Sequence, residues 1–134
     1  MKLAIKLALL ALLSGCVSPY QATVDDYITA YPNINLGMSK LEVQAILNPS
    51  QSRLSNTEIK QSDRYMKEGV VVEILYFRSG WNSDGITTDD EFTPYIFNDD
   101  KLVAIGWQVL GGAKSQGQAR DSIYIDNSSS TIVY

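Results

Sequence analysis

The stretch Val70–Arg78 has the composition of a strand inside a sheet, and it limits the folds open to this chain. It is rich in β-branched and aromatic residues, which fit a pleated and packed surface. Alternate side chains of a strand point to opposite faces. One face carries Val70, Val72, Ile74 and Tyr76, and the other carries Val71, Leu75 and Phe77 beside Glu73. Because both faces are largely apolar, each must be covered. Helices can cover one face; the other must meet the chain's own tail, a second protomer or a partner.

A hairpin is predicted further along the chain. Residues 92–98 and 101–110 are rich in strand-forming residues and are joined at Asp99-Asp100, which is the layout of a two-residue β-hairpin. The polar stretch before Val70 has room for a short edge strand near residues 59–66. The sequence therefore predicts an antiparallel sheet of three or four strands.

Two short helices are predicted ahead of the sheet. Thr23 is the expected N-cap of the first, because Asp25 and Asp26 then stand in its positively polarised first turn, and Pro32 ends it. The second begins with the capping box Ser39-Lys40-Leu41-Glu42. Its structural motif is expected to comprise Gly37, Met38, Ser39, Glu42, Val43, Asn48 and Pro49, with Asn48 left-handed after the last turn and Pro49 barring continuation. The fold class is thus α+β, with both helices on one face of the sheet.

The first sixteen residues have the order of a secretory signal. Lys2 and Lys6 precede an apolar run over residues 7–13, and the run ends in Leu13-Ser14-Gly15-Cys16. This ending resembles the lipobox of bacterial lipoproteins. That resemblance implies a diacylglycerol on the Cys16 thiol and cleavage before it. The apolar run is far shorter than the ~20 residues of a membrane-spanning helix, so residues 1–15 are interpreted as a signal peptide that is removed.

The lipobox resemblance also predicts where the protein is located. Gram-negative lipoproteins kept in the inner membrane commonly have Asp after the Cys, whereas this chain has Val17. We therefore expect an anchor on the periplasmic face of the outer membrane. The expected organisation is a signal peptide over 1–15, an anchor and short linker over 16–22, an α+β domain over 23–110, and a flexible linker and tail over 111–134.

The composition excludes several classes of catalytic and binding site. The chain has no His, its single Cys is the expected lipid carrier, and its formal net charge is −4. Without His, Ser-His-Asp and Cys-His nucleophile pairs and the HExxH metal motif are excluded. An acidic balance argues against nucleic acid. We expect a protein that is not an enzyme, with no cofactor other than the covalent lipid, although chemistry by carboxylates alone stays open.

The loop at residues 79–91 is the most unusual local sequence. Asn82, Asp84, Gly85 and Glu91 have EF-hand spacing, but Gly80 stands where the first calcium ligand, an Asp, belongs. No metal site is therefore predicted. A long loop between strands is a candidate functional loop. The predicted partner-binding residues are Trp81, Asp84, Thr87, Thr88 and, on the next strand, Tyr95. The alternative prediction for Trp81 and Tyr95 is that they are buried in the core.

Several short motifs resemble the SmpA/OmlA group of small outer-membrane lipoproteins, also called BamE-like. They are Leu36-Gly37-Met38-Ser39, Glu42-Val43, Ile46-Leu47, Pro49 and residues 97–103. A BamE-like subgroup of uncharacterised proteins is suggested by residues 83–88 followed by Thr93-Pro94. The likeness covers about residues 34–110 and implies an ααβββ fold. Asn48 and Asp100 replace family glycines, and the best-known member, an accessory subunit of β-barrel assembly, lacks the loop at Trp81.

Two functions are expected on these grounds. The first is a non-enzymatic outer-membrane lipoprotein that binds a protein partner at the periplasmic membrane surface, in envelope or β-barrel assembly, with a homo-oligomer also open. The alternative is a periplasmic module that binds a ligand, an ion or an enzyme in the manner of an inhibitor.

Overall fold

The computed structural model describes residues 15–111 and shows two helices followed by an antiparallel sheet. The helices are α1 (Pro19–Ala30) and α2 (Lys40–Gln51). The strands are β1 (Asp63–Lys67), β2 (Val70–Arg78), β3 (Phe92–Asn98) and β4 (Lys101–Ile105). Short 3₁₀ turns lie at Tyr31–Asn33, Asp89–Glu91 and Trp107–Leu110. The predicted α+β class is confirmed, whereas most of the predicted signal and the tail from residue 112 lie outside the described residues.

The four strands pair in chain order, so each strand neighbours the next. β1 pairs with β2 only as far as Ile74, and β3 pairs with β2 along its length from Val72 to Arg78. The predicted bounds of β2 are confirmed. A β-bulge between Ile96 and Phe97 shifts the β3–β4 register.

The two faces of β2 enter two different apolar clusters, as its alternating pattern predicts. Phe77 and Leu75 face the helices, where the main core is formed by Tyr27, Ile34, Val43, Leu47, Phe77, Tyr95, Phe97 and Leu102. Val72 and Ile74 face the opposite side and pack with Ile96. Leu110, from the last 3₁₀ turn, lies against this second cluster. The second face of the sheet is thus partly covered by the chain itself.

Helix α1 begins five residues earlier than predicted. Ser18 is the N-cap, because its Oγ accepts a hydrogen bond from the Tyr20 amide (3.3 Å), and Pro19 occupies the first turn. Pro is favoured at this position because its missing N–H has no intrahelical partner there. Thr23, the predicted N-cap, is fully buried inside the helix. The linker predicted over 16–22 therefore ends at Ser18.

Helix α2 begins as predicted and ends later. The Ser39 amide donates to Glu42 Oε2 (2.7 Å) and the Glu42 amide donates to Ser39 Oγ (3.3 Å), which confirms the capping box. The helix then continues through Asn48 and Pro49 to Gln51, so the predicted stop at these residues is wrong. Pro removes one backbone donor near the helix end, and the last turn is held instead by buried Ser50, whose hydroxyl donates to the Leu47 carbonyl (2.6 Å).

The β3–β4 hairpin turns at Asp99 and Asp100, which both have positive φ (44° and 70°). This is the backbone sense of a type I′ turn. The Asp99 carboxylate also accepts a hydrogen bond from the Val71 amide (3.0 Å), which ties the turn to β2. β4 ends at Ile105, five residues before its predicted end, because Gly106 at φ 98° turns the chain onto the second face.

Candidate functional site

Arg78 and Glu91 form a buried ion pair at the end of the sheet where β2 stops and β3 begins. Arg78 Nη1 lies 3.3 Å from Glu91 Oε1, and the two side chains are 1% and 2% exposed. Arg78 also donates from Nε and Nη2 to the Glu58 carbonyl at 3.2 and 2.8 Å. The buried guanidinium therefore has partners on two sides, as a charge removed from water requires.

Aromatic rings surround the Arg78 guanidinium. Its Cζ lies 5.0 Å from the centre of the Tyr20 ring and 4.7 Å from the centre of the Phe92 ring, both within cation–π range. The Tyr20 ring in turn stacks on Trp81, with centroids 5.6 Å apart and planes 8° from parallel. We call these five residues, Tyr20, Arg78, Trp81, Glu91 and Phe92, the Arg78 cluster. It joins the first turn of α1 to the loop at residues 79–91.

The Glu91 carboxylate also organises that loop. It accepts hydrogen bonds from the Asn82 amide (3.0 Å) and the Thr88 amide (2.8 Å), and the Glu91 carbonyl accepts from the Ser79 and Gly80 amides. One buried residue, through its carboxylate and its backbone carbonyl, thus closes both ends of the loop onto each other. A carboxylate that accepts several backbone donors is a strong local organiser.

A hydrogen bond from the Tyr20 hydroxyl to Glu58 Oε1 (2.7 Å) links α1 to the connection between α2 and β1. This bond, which requires the neutral phenol, raises the pKa of Tyr20 above its usual value. The pKa of Glu58 is lowered, first by the hydrogen bond from the Ser55 amide and then by the one from Tyr20. Glu58 therefore serves as a charged acceptor at neutral pH.

The predicted partner-binding residues occupy different environments. Trp81 is 41% exposed. Asp84 is exposed, and its carboxylate accepts a hydrogen bond from the Ile86 amide (2.9 Å), whereas Thr87 and Thr88 are half-buried. Tyr95 is fully buried, as the alternative prediction of a core position requires. Its hydroxyl shares a buried hydrogen bond of 2.8 Å with that of Tyr27. Tyr95 therefore offers no surface to a partner in this fold.

Sequence reasoning did not find the Arg78 cluster. The sequence pattern places Arg78 only at the end of a strand, and Glu91 only in an EF-hand-like loop. Their sole local signal is a charged residue at each strand end flanking the loop, and such charges are usually solvated. Only the antiparallel pairing, which places Arg78 opposite Phe92, brings the two side chains together.

A second surface lies on the face of the sheet away from the helices. A groove of about 380 Å³ there is lined by Lys67, Glu68, Val70, Val72, Ile96, Asn98, Val103 and Val109. We call it the second-face groove. Val103 and Val109 are each 43% exposed. The groove has an apolar floor with charged and polar residues at one end, an arrangement typical of interaction sites.

Within residues 15–111, no group of three or more His, Cys, Asp or Glu side chains is placed to hold a metal ion. The acids of the loop have separate partners: Glu91 pairs with Arg78, and Asp89 lies 3.0 Å from the Lys60 ammonium. In the same part of the chain, no helix is both long and apolar enough to cross a membrane.

Comparison with known proteins identifies a family for this chain. A family model described as a protein of unknown function, DUF3192, matches residues 21–111. The chain belongs to the DUF3192 family. The matched region begins inside α1 and ends just after the last 3₁₀ turn, so it takes in most of α1, all of α2, all four strands and every member of the Arg78 cluster except Tyr20. No curated protein and no solved structure matches this DUF3192 chain. The resemblance to the SmpA/OmlA group stays a prediction.

Proposed function

We propose that this DUF3192 protein is a non-enzymatic lipoprotein of the outer membrane, anchored at the periplasmic face by lipid on Cys16, and that it binds a protein partner there. Support for the anchor comes from the charge order, apolar length and Leu-Ser-Gly-Cys ending of its first sixteen residues. Cys16 is exposed and lies two residues before the N-cap of α1. Two acyl chains suffice for stable attachment to a membrane. The predicted role in envelope or β-barrel assembly belongs to this proposal.

The second-face groove is the observation on which partner binding rests. Exposed apolar side chains from two consecutive elements, Val103 of β4 and Val109 of the last 3₁₀ turn, line the groove together with Val70. Contiguous exposed apolar surface on a small domain marks interaction sites, whereas single exposed residues do not. Lys67 and Glu68 at the same groove can supply a polar rim of the kind that surrounds protein interfaces. The groove lies at the end of the sheet opposite the Arg78 cluster, so a partner there would not compete with the anchor.

Co-purification from cells tests this proposal. The wild-type chain, Val103→Lys and Leu41→Lys would be captured from mildly solubilised membranes. Leu41 is the matched control, because it is apolar and 73% exposed but lies on α2, outside the groove. We expect the wild type and Leu41→Lys to recover the same envelope protein and Val103→Lys to lose it. Equal recovery of the partner with both Lys variants would contradict the groove as the surface that binds the partner.

The anchor has its own test. Cells labelled with a lipid precursor should transfer label to the wild-type chain and not to Cys16→Ser, and the labelled chain should fractionate with the outer membrane. Label on neither chain, or outer-membrane fractionation of Cys16→Ser at the wild-type level, would contradict the lipid anchor without bearing on the groove.

The alternative of a ligand-binding module is favoured by the size of the groove. Its volume of about 380 Å³ falls within the range of small-molecule sites. On this alternative the chain is recovered alone, and apolar small molecules raise the melting temperature of the wild type but not that of Val103→Lys.

A further inference from the structure

The end of the domain that carries the Arg78 cluster also carries Cys16. Cys16 precedes the α1 N-cap by two residues, and Tyr20, at the start of that helix, stacks on Trp81. The four residues from Cys16 to Tyr20 span at most roughly 14 Å when extended. The Asp99-Asp100 turn lies at the far end of β3. Attachment at Cys16 would therefore hold the 79–91 loop, and not the hairpin turn, beside the membrane.

From this placement we infer that the loop at residues 79–91 is a membrane-contacting surface, with Trp81 and Ile86 seated in the interfacial layer of a phospholipid bilayer. The inference rests on the proposed lipid anchor. This inference gives Trp81 a role other than the predicted one in partner binding. Partner binding is instead proposed for the second-face groove.

The exposed side chains at this end have the chemistry of an interfacial contact. Trp81 is 41% exposed, Ile86 is 59% exposed and Val17, next to the anchor, is 66% exposed. Trp and Tyr are enriched at the membrane–water boundary, because their rings are apolar and carry one polar group. Val17 thus adds an exposed apolar side chain next to the anchor, and Trp81 and Ile86 add two from the loop.

Hydrogen bonds within the 79–91 loop hold its backbone, and with it Trp81 and Ile86, in place. Glu91 binds the backbone of Asn82 and Thr88, and Asn82 Nδ2 donates to the Asp90 carboxylate (2.9 Å). The Asp84 carboxylate accepts from the Ile86 amide and fixes the turn that exposes Ile86. A surface that is already ordered loses little conformational entropy when it binds.

Charge identifies the kind of lipid. The segment 79–91 contains Asp84, Asp89, Asp90 and Glu91 and no Lys or Arg. Arg78 and Lys60 offset Glu91 and Asp89, so Asp84 and Asp90 give the loop an acidic balance. Anionic lipids attract basic segments and repel acidic ones. The surface that fits this loop is therefore one of zwitterionic phospholipid.

The two tryptophans of the chain allow a direct test with an internal control. Trp107→Phe leaves Trp81 as the only emitter, and Trp81→Phe leaves Trp107, whose indole N–H donates to the Phe92 carbonyl (2.7 Å) and whose ring stacks on Tyr76. Cys16 is the single Cys, so the chain from Cys16 onward can be coupled through that thiol to maleimide-bearing lipid in phosphatidylcholine vesicles. Brominated acyl chains in the same vesicles serve as the quencher.

We expect coupling to the vesicles to shift Trp81 emission to shorter wavelength, and we expect brominated lipid to quench that emission. Trp107 emission should change little in both measurements. Ile86→Asp in the Trp107→Phe background should reduce the quenching, and so should added phosphatidylglycerol. Circular dichroism before coupling establishes that each variant is folded. Unchanged Trp81 emission from a folded, coupled chain would overturn the inference. Quenching of Trp107 in place of Trp81 would overturn it too, because the second face would then lie on the membrane.

This outcome is separable from that of the proposed anchor, because the chemical tether does not depend on lipidation in cells. Loss of lipid label at Cys16 in cells would contradict the anchor, whereas absence of quenching in the tethered vesicles would contradict only the seating of the loop.

Discussion

Arg78 Nη1 and Glu91 Oε1 lie 3.3 Å apart at a point where neither side chain is more than 2% exposed. The pair brackets the 79–91 loop, because Arg78 ends β2 and Glu91 immediately precedes β3. Burial of two charges is costly, and the attraction between them roughly offsets that cost. The main effect of the ion pair is on conformation. Glu91 orients the loop that carries Trp81, and Arg78 holds the Glu91 side chain in place.

Removal of one partner from this pair is expected to be strongly destabilising. Arg78→Met leaves the Glu91 carboxylate buried without its cation and should lower the free energy of unfolding by about 3–5 kcal/mol. Arg53→Met is the matched control, because Arg53 pairs with Asp26 at side-chain exposures of 45% and 50%. Loss of an exposed pair costs about 1 kcal/mol or less. Urea unfolding monitored by fluorescence measures both; equal effects would mean that the Arg78 pair is not a buried one.

The buried hydroxyl pair of Tyr27 and Tyr95 should show strong coupling. Either single change to Phe leaves one buried hydroxyl without its partner (2.8 Å in the wild type), at a cost of about 1–3 kcal/mol. The double change removes both hydroxyls, so we expect it to cost less than the sum of the singles. Tyr31→Phe, at an exposed ring that stacks on Tyr27, should have little effect. A double-mutant cycle by chemical denaturation checks this, and strict additivity would contradict it.

The lowered pKa of Glu58 predicts an acid-dependent loss of stability. A carboxyl whose folded pKa is depressed below its ordinary value of 4.5 stabilises the fold above that pH, and the stabilisation is lost as the pH falls through the folded pKa. Glu58→Gln should therefore be less stable than the wild type at neutral pH, and the difference should shrink below about pH 4.5. Thermal melts of both proteins over this range give the measurement. A difference that does not vary with pH would assign the effect to shape and not to charge.

The hairpin turn offers a stabilising substitution. Asp100 has φ 70°, a region that Gly enters without steric cost, so Asp100→Gly should raise the free energy of unfolding by about 1 kcal/mol. Asp99→Gly is the control: its φ is also positive, but its carboxylate accepts the Val71 amide. The gain at residue 99 should be cancelled by the lost hydrogen bond. Thermal melts that rank Asp99→Gly above Asp100→Gly would contradict a stabilising role for the hydrogen bond between Asp99 and Val71.

The elements that sequence reasoning placed correctly are those with short-range signals. The alternation along Val70–Arg78, the capping box at Ser39 and Glu42, and the hairpin at Asp99-Asp100 each depend on residues within a few positions of one another. The predicted roles of Thr23 as an N-cap and Pro49 as a helix stop are wrong, because other contacts override the local preference of each residue. Ser18 and Pro19 start α1 earlier, and Ser50 and Gln51 carry α2 past Pro49.

The sequence alone determined the α+β class, the two apolar faces of β2 and the helix start at Ser39, because side-chain periodicity and capping chemistry are written in neighbouring residues. The tertiary structure alone decided the rest. Tyr95 lies in the core, where its hydroxyl shares a hydrogen bond with that of Tyr27, 68 positions away. Arg78 is buried because it forms an ion pair with Glu91 across a loop. A charge or a hydroxyl enters an interior only when a partner satisfies it there. That partner is supplied by strand pairing and helix packing, which no local pattern specifies.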